Sequence, residues 1–289
     1  MSATRIIASG AVVNIVLAVG KMALGSLAGS RALIADGVHS LSDLITDGVV
    51  LIGVRASRRP ADDGHAFGHG RYETISALIV GVVLLGAGLL VGRDAAAEIL
   101  LVTRGGVLLP PEPWAAAVAL ASVATKEVLF HVTYREGVRT GSLALKANAW
   151  HHRTDAISSV AATAGILGAA FAGERWRILD PLAALLVATL IVVVAGQILV
   201  RTLYEMTDAA LPAEDCEDIL RIATAVAGVH DPHGLRTRRL GQTIAVELHF
   251  RVDGSTTVEA AHGIASQVER AIRGHFGEDT SVITHVEPR

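Results

Sequence analysis

The stretch NAWHHRTDAISSVAATAGILGAAFAG, residues 148–173, opens on two histidines, an arginine and an aspartate and continues as an apolar run. A run of this kind is long enough to cross roughly 30 Å of hydrocarbon as a helix. An ionisable side chain inside such a helix costs a few kcal/mol at the least, about 2.5–3.5 on insertion scales, so a polar group kept there points to function. The segment therefore predicts a membrane fold and also asks what its charges are for.

Working outward, similar stretches recur in series: Ile6 to Leu27, Ala32 to Val54, Thr74 to Val91, Trp114 to Val132, Ala144 to Phe171 and Pro181 to Leu203. Composition agrees, with 51% hydrophobic and 18% charged residues in 289 and a mean hydropathy of +0.48, the balance of a membrane protein. The first stretch lacks a strongly basic leading region and continues as LAVGKMALGSLAG, too long for a signal peptide, so it is expected to be retained. Six spans put both termini on one side. Arg55, Arg58, Arg59, Arg71, Arg135 and Arg139 outweigh Arg31, Arg93, Arg104, Arg175 and Arg177 of the opposite loops, which predicts cytoplasmic termini. Arginine and alanine greatly outnumber lysine, a composition that points to a GC-rich bacterium and its inner membrane.

From Thr207 the character changes. DAALPAEDCEDILRIATAVAGV has one charged and one apolar face, as in an amphipathic helix of a soluble domain. Leu235 to Leu240 reads as a strand, Gly241-Gln242 as a turn, and TIAVELHFRV alternates Ile244, Val246, Leu248, Phe250 and Val252 with Ala245, Glu247, His249 and Arg251. A second helix, Val258 to His275, and a strand, Ser281 to Val286, complete an α-β-β-α-β order. The expected fold class is an α-helical membrane protein, with a transmembrane domain at 1–206 and a small cytoplasmic domain at 207–289. The single cysteine, Cys216, permits no disulfide within the chain and suits a reducing cytoplasm. The net charge is -3 with both signs dispersed, and no basic patch suggests nucleic acid as a partner.

Two helices carry the chemistry. In IADGVHSLSDLITDG, His39 and Asp43 stand four residues apart on one helix face, and His151 and Asp155 repeat that spacing in the fifth span. Brought together, they supply two imidazoles and two carboxylates, a set that suits tetrahedral zinc and tolerates related divalent ions. Two carboxylates also neutralise one divalent cation. A lone His or Asp near a helix end often snorkels to the interface, but finding the pair twice argues against that explanation. Asp36 and Asp47 share the face of the second helix in part, as supporting groups or proton carriers, while His152 and Arg153 point elsewhere on the fifth.

This constellation resembles the cation diffusion facilitator family, membrane exporters of divalent transition metals driven by proton exchange. The resemblance covers nearly the whole chain: six spans, H-x-x-x-D on the second and fifth, a histidine-bearing second-to-third loop, and a metallochaperone-like, ferredoxin-like α-β-β-α-β tail. It implies an intramembrane transport site at His39, Asp43, His151 and Asp155. Histidine at the first position is associated in this family with zinc, and an imidazole in place of a hard carboxylate disfavours manganese and magnesium. Cadmium, manganese, iron and cobalt are the other substrates implied.

In the loop PADDGHAFGHGRYE the resemblance implies a metal set of Asp62, His65 and His69, and glycines 64, 68 and 70 would let the backbone fold these side chains inward. In the tail it implies cytoplasmic zinc ligands, with His233, His249 and His285 as the main ones, joined by His262 and by Glu287 where family members carry aspartate. It also implies a charge pair between Arg71 and Asp208, a homodimer in the bilayer, and alternating access of one site to metal and protons. A metal-bound histidine must be neutral, so protonation near its ordinary pKa of about 6.5 expels the ion. An intramembrane metalloenzyme is disfavoured, since the chain has no H-E-x-x-H and no identified nucleophile or base beyond the four ligands. A non-transporting metal sensor or scaffold remains the reading from another class.

Overall fold

The computed structural model describes the backbone of residues 3–57, 59–140, 143–241 and 243–289. Side chains are described for residues 11–45, 48, 49, 52, 53, 55–57, 59–139, 149, 150, 152, 153, 155, 156, 158–241 and 243–289. Six long helices come first: α1 (Ala3–Ala28), α2 (Arg31–Ser57), α3 (Arg71–Thr103), α4 (Trp114–Thr140), α5 (Leu143–Phe171) and α6 (Leu179–Met206). The tail follows as α7 (Ala213–Thr224), β1 (His230–Leu240), β2 (Thr243–Val252), α8 (Val258–Phe276) and β3 (Ser281–Pro288).

Among the described residues, four helical segments are long and apolar enough to cross a membrane: 11–28, 71–103, 114–139 and 174–206. Helices α2 and α5 are the ones that carry the H-x-x-x-D pairs. Helix α3 runs twelve residues past the expected end at Val91, because Arg93, Asp94 and Glu98 are good enough helix residues to continue it. Arg31 Nε then reaches Glu98 Oε1 at 2.6 Å.

The chain divides into two compact units, residues 1–49 with 80–197, and residues 50–79 with 198–289. In the first, small residues let helices approach. A Cβ on Gly37 would stand 2.7 Å from Met22 Cγ, so α1 and α2 meet there only because Gly37 has none. The buried cluster of this unit is made almost entirely of alanine, with Leu33 and Ile166. The start of α2 is held from α6: Asp180 accepts from Ser30 Oγ at 2.6 Å and from the Arg31 amide at 2.6 Å, while Ser30 Oγ accepts from the Leu33 amide at 3.1 Å. These contacts satisfy amides that the first helical turn leaves open.

In the second unit the strands form one sheet in the order β1-β2-β3, with β1 antiparallel and β3 parallel to β2. The alternation predicted for β2 is observed: Ile244, Val246, Leu248, Phe250 and Val252 are buried and join Ile219 of α7 with Val268 and Ile272 of α8 in one core. Helix α7 is shorter than expected because Pro212 opens it. Strand β1 begins five residues before the expected Leu235, despite Pro232 and Gly234. It accommodates them through register shifts on both sides of His233 and left-handed φ angles of 44° at Asp231 and 61° at Gly234. Thr257 caps α8 by accepting from the Ala260 amide at 3.2 Å. At the turn after β1, Gly241 is left-handed (φ 66°), and Gln242 lies outside the described residues.

Candidate metal centres

Among the described residues, three groups of possible ligands converge. In the first unit, one ligand atom each from His39, Asp43 and Asp155 lie within 4.8 Å of one another. His39 Nε2 is 3.9 Å from Asp43 Oδ2, the contact expected from their i, i+4 placement on α2. Asp155 is the most buried of the three, at 6% exposure. His151 stands one turn before it on α5, and its side chain lies outside the described residues, as does that of Asp47. His152 is buried, and Arg153 lies over the Phe130 ring, 4.6 Å from its centroid. Neither belongs to the group.

Asp36 has a different role from the ligands. It is fully buried, lies 2.6 Å from Lys21 Nζ, and accepts from Ser159 Oγ at 2.9 Å. Lys21 of α1 and Lys126 of α4 are the charged residues that the sequence reading passed over. The signal was available, since an ionisable residue in the middle of an apolar span is a functional candidate by default. Lys126 Nζ stands 3.7 Å from Asp155 Oδ2. The sequence-level charge balance of two carboxylates against one dication therefore omitted an ammonium.

The loop group, Asp62, His65 and His69, meets by the same distance. A reciprocal backbone pair between Asp62 and His65, at 3.1 and 3.3 Å, closes the turn, and Gly68 takes a left-handed φ of 77° that brings His69 back toward it. The rings of His65 and His69 lie 4.2 Å apart. His69 Nδ1 is 3.1 Å from the Pro60 carbonyl. That oxygen can only accept, so Nδ1 carries the proton and Nε2, 3.5 Å from Asp62 Oδ2, presents its lone pair. Desolvation raises the Asp62 pKa, but hydrogen bonds from the His65 and Gly64 amides and the nearby imidazoles outweigh it and hold the carboxyl below its ordinary range.

The tail group consists of His233, His249 and Glu287. Register brings it together: His233 pairs with His249 across β1 and β2, and His249 with His285, Arg251 with Glu287, across β2 and β3. Glu287 is central, with His233 Nε2 at 3.4 Å, His249 Nδ1 at 3.5 Å and His285 Nε2 at 3.9 Å. His233 Nδ1 lies 2.8 Å from the Asp231 carbonyl, which again leaves the Nε2 lone pair on the side of Glu287. The His285 ring lies tilted beside His249, centroids 4.8 Å apart, but outside the convergent set. His262 also stands apart from it, on α8, lining a cavity with Glu269 and Glu287. The sequence reading put His233, His249 and His285 first and Glu287 after them, and the strand register sets Glu287 among those histidines.

Arg71 pairs with Asp208, the residue with a left-handed φ of 56° just after α6. Sequence had not indicated the third member: Arg238 of β1 reaches the other carboxylate oxygen at 3.5 Å. Close by, a Cβ on Gly70 would stand 2.5 Å from the Leu240 carbonyl, so the end of the loop is pressed against the β1–β2 turn. Loop, helix end and sheet are thereby joined within one unit.

Comparison with known proteins agrees with these features. Residues 7–207 match the family described as the cation efflux transmembrane domain, and residues 211–289 match the cation efflux protein cytoplasmic domain. Metal tolerance protein C1 of Arabidopsis thaliana is 37% identical over 98% of this chain and 62% of its own length, so the chain spans less than two thirds of that relative. Uncharacterized transporter YdbO of Bacillus subtilis is 33% identical over 96% of this chain and 94% of its own. The manganese efflux system protein MneP of the same organism is 29% identical over 96% and 93%. The chain is therefore an integral membrane protein that belongs to the cation efflux family, the cation diffusion facilitators, which are transporters of cations and not enzymes.

Proposed function

We propose that this protein exports a divalent transition metal, zinc foremost, in exchange for protons. The supporting observation is the convergence of His39, Asp43 and Asp155 from two helices inside the helical unit. Residues 1–206 would form the transport domain with six spans, and 207–289 a cytoplasmic regulatory and dimerisation domain. His39, Asp43, His151 and Asp155 hold the ion, and the loop and tail groups bind metal on the cytoplasmic side. Both termini face the cytoplasm of a bacterial cell, and the assembly is a homodimer.

The chemistry follows from the donors. Two imidazoles and two carboxylates suit borderline-soft zinc better than hard manganese, although a relative is named for manganese efflux. Neutral imidazole binds metal and protonated imidazole releases it, so a site exposed alternately to the two sides exchanges one cation for the other. Flux in sealed proteoliposomes under an imposed pH gradient, comparing zinc with manganese, iron, cobalt and cadmium, tests the proposal. Zinc binding without flux of any of these ions would favour a sensor or scaffold.

Selectivity gives a sharper test. His39→Asp is expected to keep transport and widen it toward manganese and cadmium, since an added carboxylate hardens the donor set. The ratio of zinc to manganese flux should fall by about tenfold, ~1.4 kcal/mol of discrimination. An unchanged metal profile would locate selectivity elsewhere.

The tail makes a separate prediction. Residues 207–289 expressed alone should dimerise, and zinc should tighten or compact the dimer, through its preference for one arrangement of the two copies. His233→Ala with His249→Ala and Glu287→Ala should remove that response in calorimetry and small-angle scattering. Undiminished micromolar zinc binding in the triple variant would rule out the tail assignment and leave the membrane site unaffected.

A further inference from the structure

The two buried lysines of the helical unit stand in different relations to their carboxylates. Lys21 is fully committed: its Nζ lies 2.6 Å from Asp36 Oδ2, with both side chains at 0% exposure, and it donates to Ser40 Oγ at 3.2 Å and Ser159 Oγ at 3.1 Å. Asp36 lies outside the convergent group, so no metal there competes with Lys21 for it. Lys126 is as deeply buried, at 1% exposure. Its partner, however, is Asp155, which the metal also needs, and the separation is a looser 3.7 Å. It also donates to Ser40 Oγ at 3.3 Å, the residue next to His39. A small cavity bounded in part by Asn14, Ser40, Asp43, Lys126 and Asp155 adjoins these groups.

We propose that Lys126 is a tethered cation of the transport site, whose ammonium sits on Asp155 when the site holds no metal and must be displaced when a dication binds. The inference rests on the reading of His39, Asp43 and Asp155 as that site. An empty site with two carboxylates and no cation would hold two uncompensated charges away from water, which is costly. The ammonium of Lys126 offsets one of them. A dication then arrives to a site that already contains a positive charge within a few ångströms, and repulsion between the two remains substantial even at an effective dielectric of about 20.

The consequence is a lowered metal affinity, which a carrier requires, since an ion bound too tightly does not leave. Lysine suits this role because a compact ammonium on a flexible four-carbon stem can withdraw toward Ser40 and return, whereas a guanidinium fork makes fixed paired contacts. Lys21, held by Asp36 and two serines, has no such freedom. A purely structural ion pair predicts the opposite effect of mutation, because losing it would loosen the site and weaken binding.

The test is zinc calorimetry on the full-length protein in detergent, reading the component of binding that Asp155→Ala removes. Lys126→Gln should tighten that component by at least about tenfold, or ~1.4 kcal/mol, and Lys126→Arg, which keeps the charge, should not tighten it. If Lys126→Gln does not purify as a monodisperse protein, Lys126→Met carries the same expectation with the stem length kept. Unchanged or weaker zinc binding in the neutral variants overturns the tethered-cation role. Zinc binding that Asp155→Ala leaves wholly unaltered would instead overturn the transport-site reading on which it rests.

Discussion

Asp155→Ala is expected to abolish zinc flux in proteoliposomes, to at least a hundredfold below the unmodified protein, while the chain still inserts into the bilayer. Losing an outer partner of a metal ligand costs about 10–100-fold, and losing a ligand itself costs more. Here the loss is twofold in kind. The site keeps one carboxylate for a dication, and Lys126 Nζ, 3.7 Å from Asp155 in the intact protein, is left to face any incoming metal without its counter-ion. Asp155→Asn separates charge from shape, since it is nearly isosteric, and should be almost as inactive. Zinc flux above about a tenth of the unmodified rate in either variant would remove Asp155 from the ligand set.

The second large effect is on stability. Lys21→Met should destabilise the helical unit by about 3–5 kcal/mol, the usual cost of stripping one member from a buried ion pair. Asp36 would remain at 0% exposure, with Ser158 and Ser159 as its donors among the described residues. The charge, not the packing, is the cause: methionine fills nearly the same volume, and Gly37 keeps α1 close to α2 in either case. The double variant Lys21→Met with Asp36→Asn should therefore recover most of the loss. Thermal unfolding in detergent checks this, and a Lys21→Met midpoint equal to that of the unmodified protein would mean that Asp36 finds water or another partner.

These expectations mark the boundary between what was legible in the chain and what was not. Apolar run length and the 3.6-residue period are local properties, so the six long helices and the shared faces of His39 with Asp43 and His151 with Asp155 follow from sequence. Period-two alternation likewise placed Val246, Leu248 and Phe250 inside the tail domain and His249 on its open face. The loop set Asp62, His65 and His69 was within reach because its members stand within eight residues of each other and glycines allow the turn.

Partnership between distant segments was not legible, because side-chain pairing across helices depends on which faces pack. Lys21 and Asp36 could be seen as two costly charges, but not as a pair held also by Ser159, 138 residues from Lys21. Lys126 could not be assigned to Asp155, nor Arg238 to Asp208. Glu287 became the centre of the tail group only through the parallel register of β3 on β2, which sets it beside Arg251 and near His249. By itself the sequence determined where helices and strands lie and which residues share a face, since those depend on backbone period. Only the tertiary structure decided which charges meet, since a buried charge takes as partner whichever opposite group the packing brings within about 4 Å.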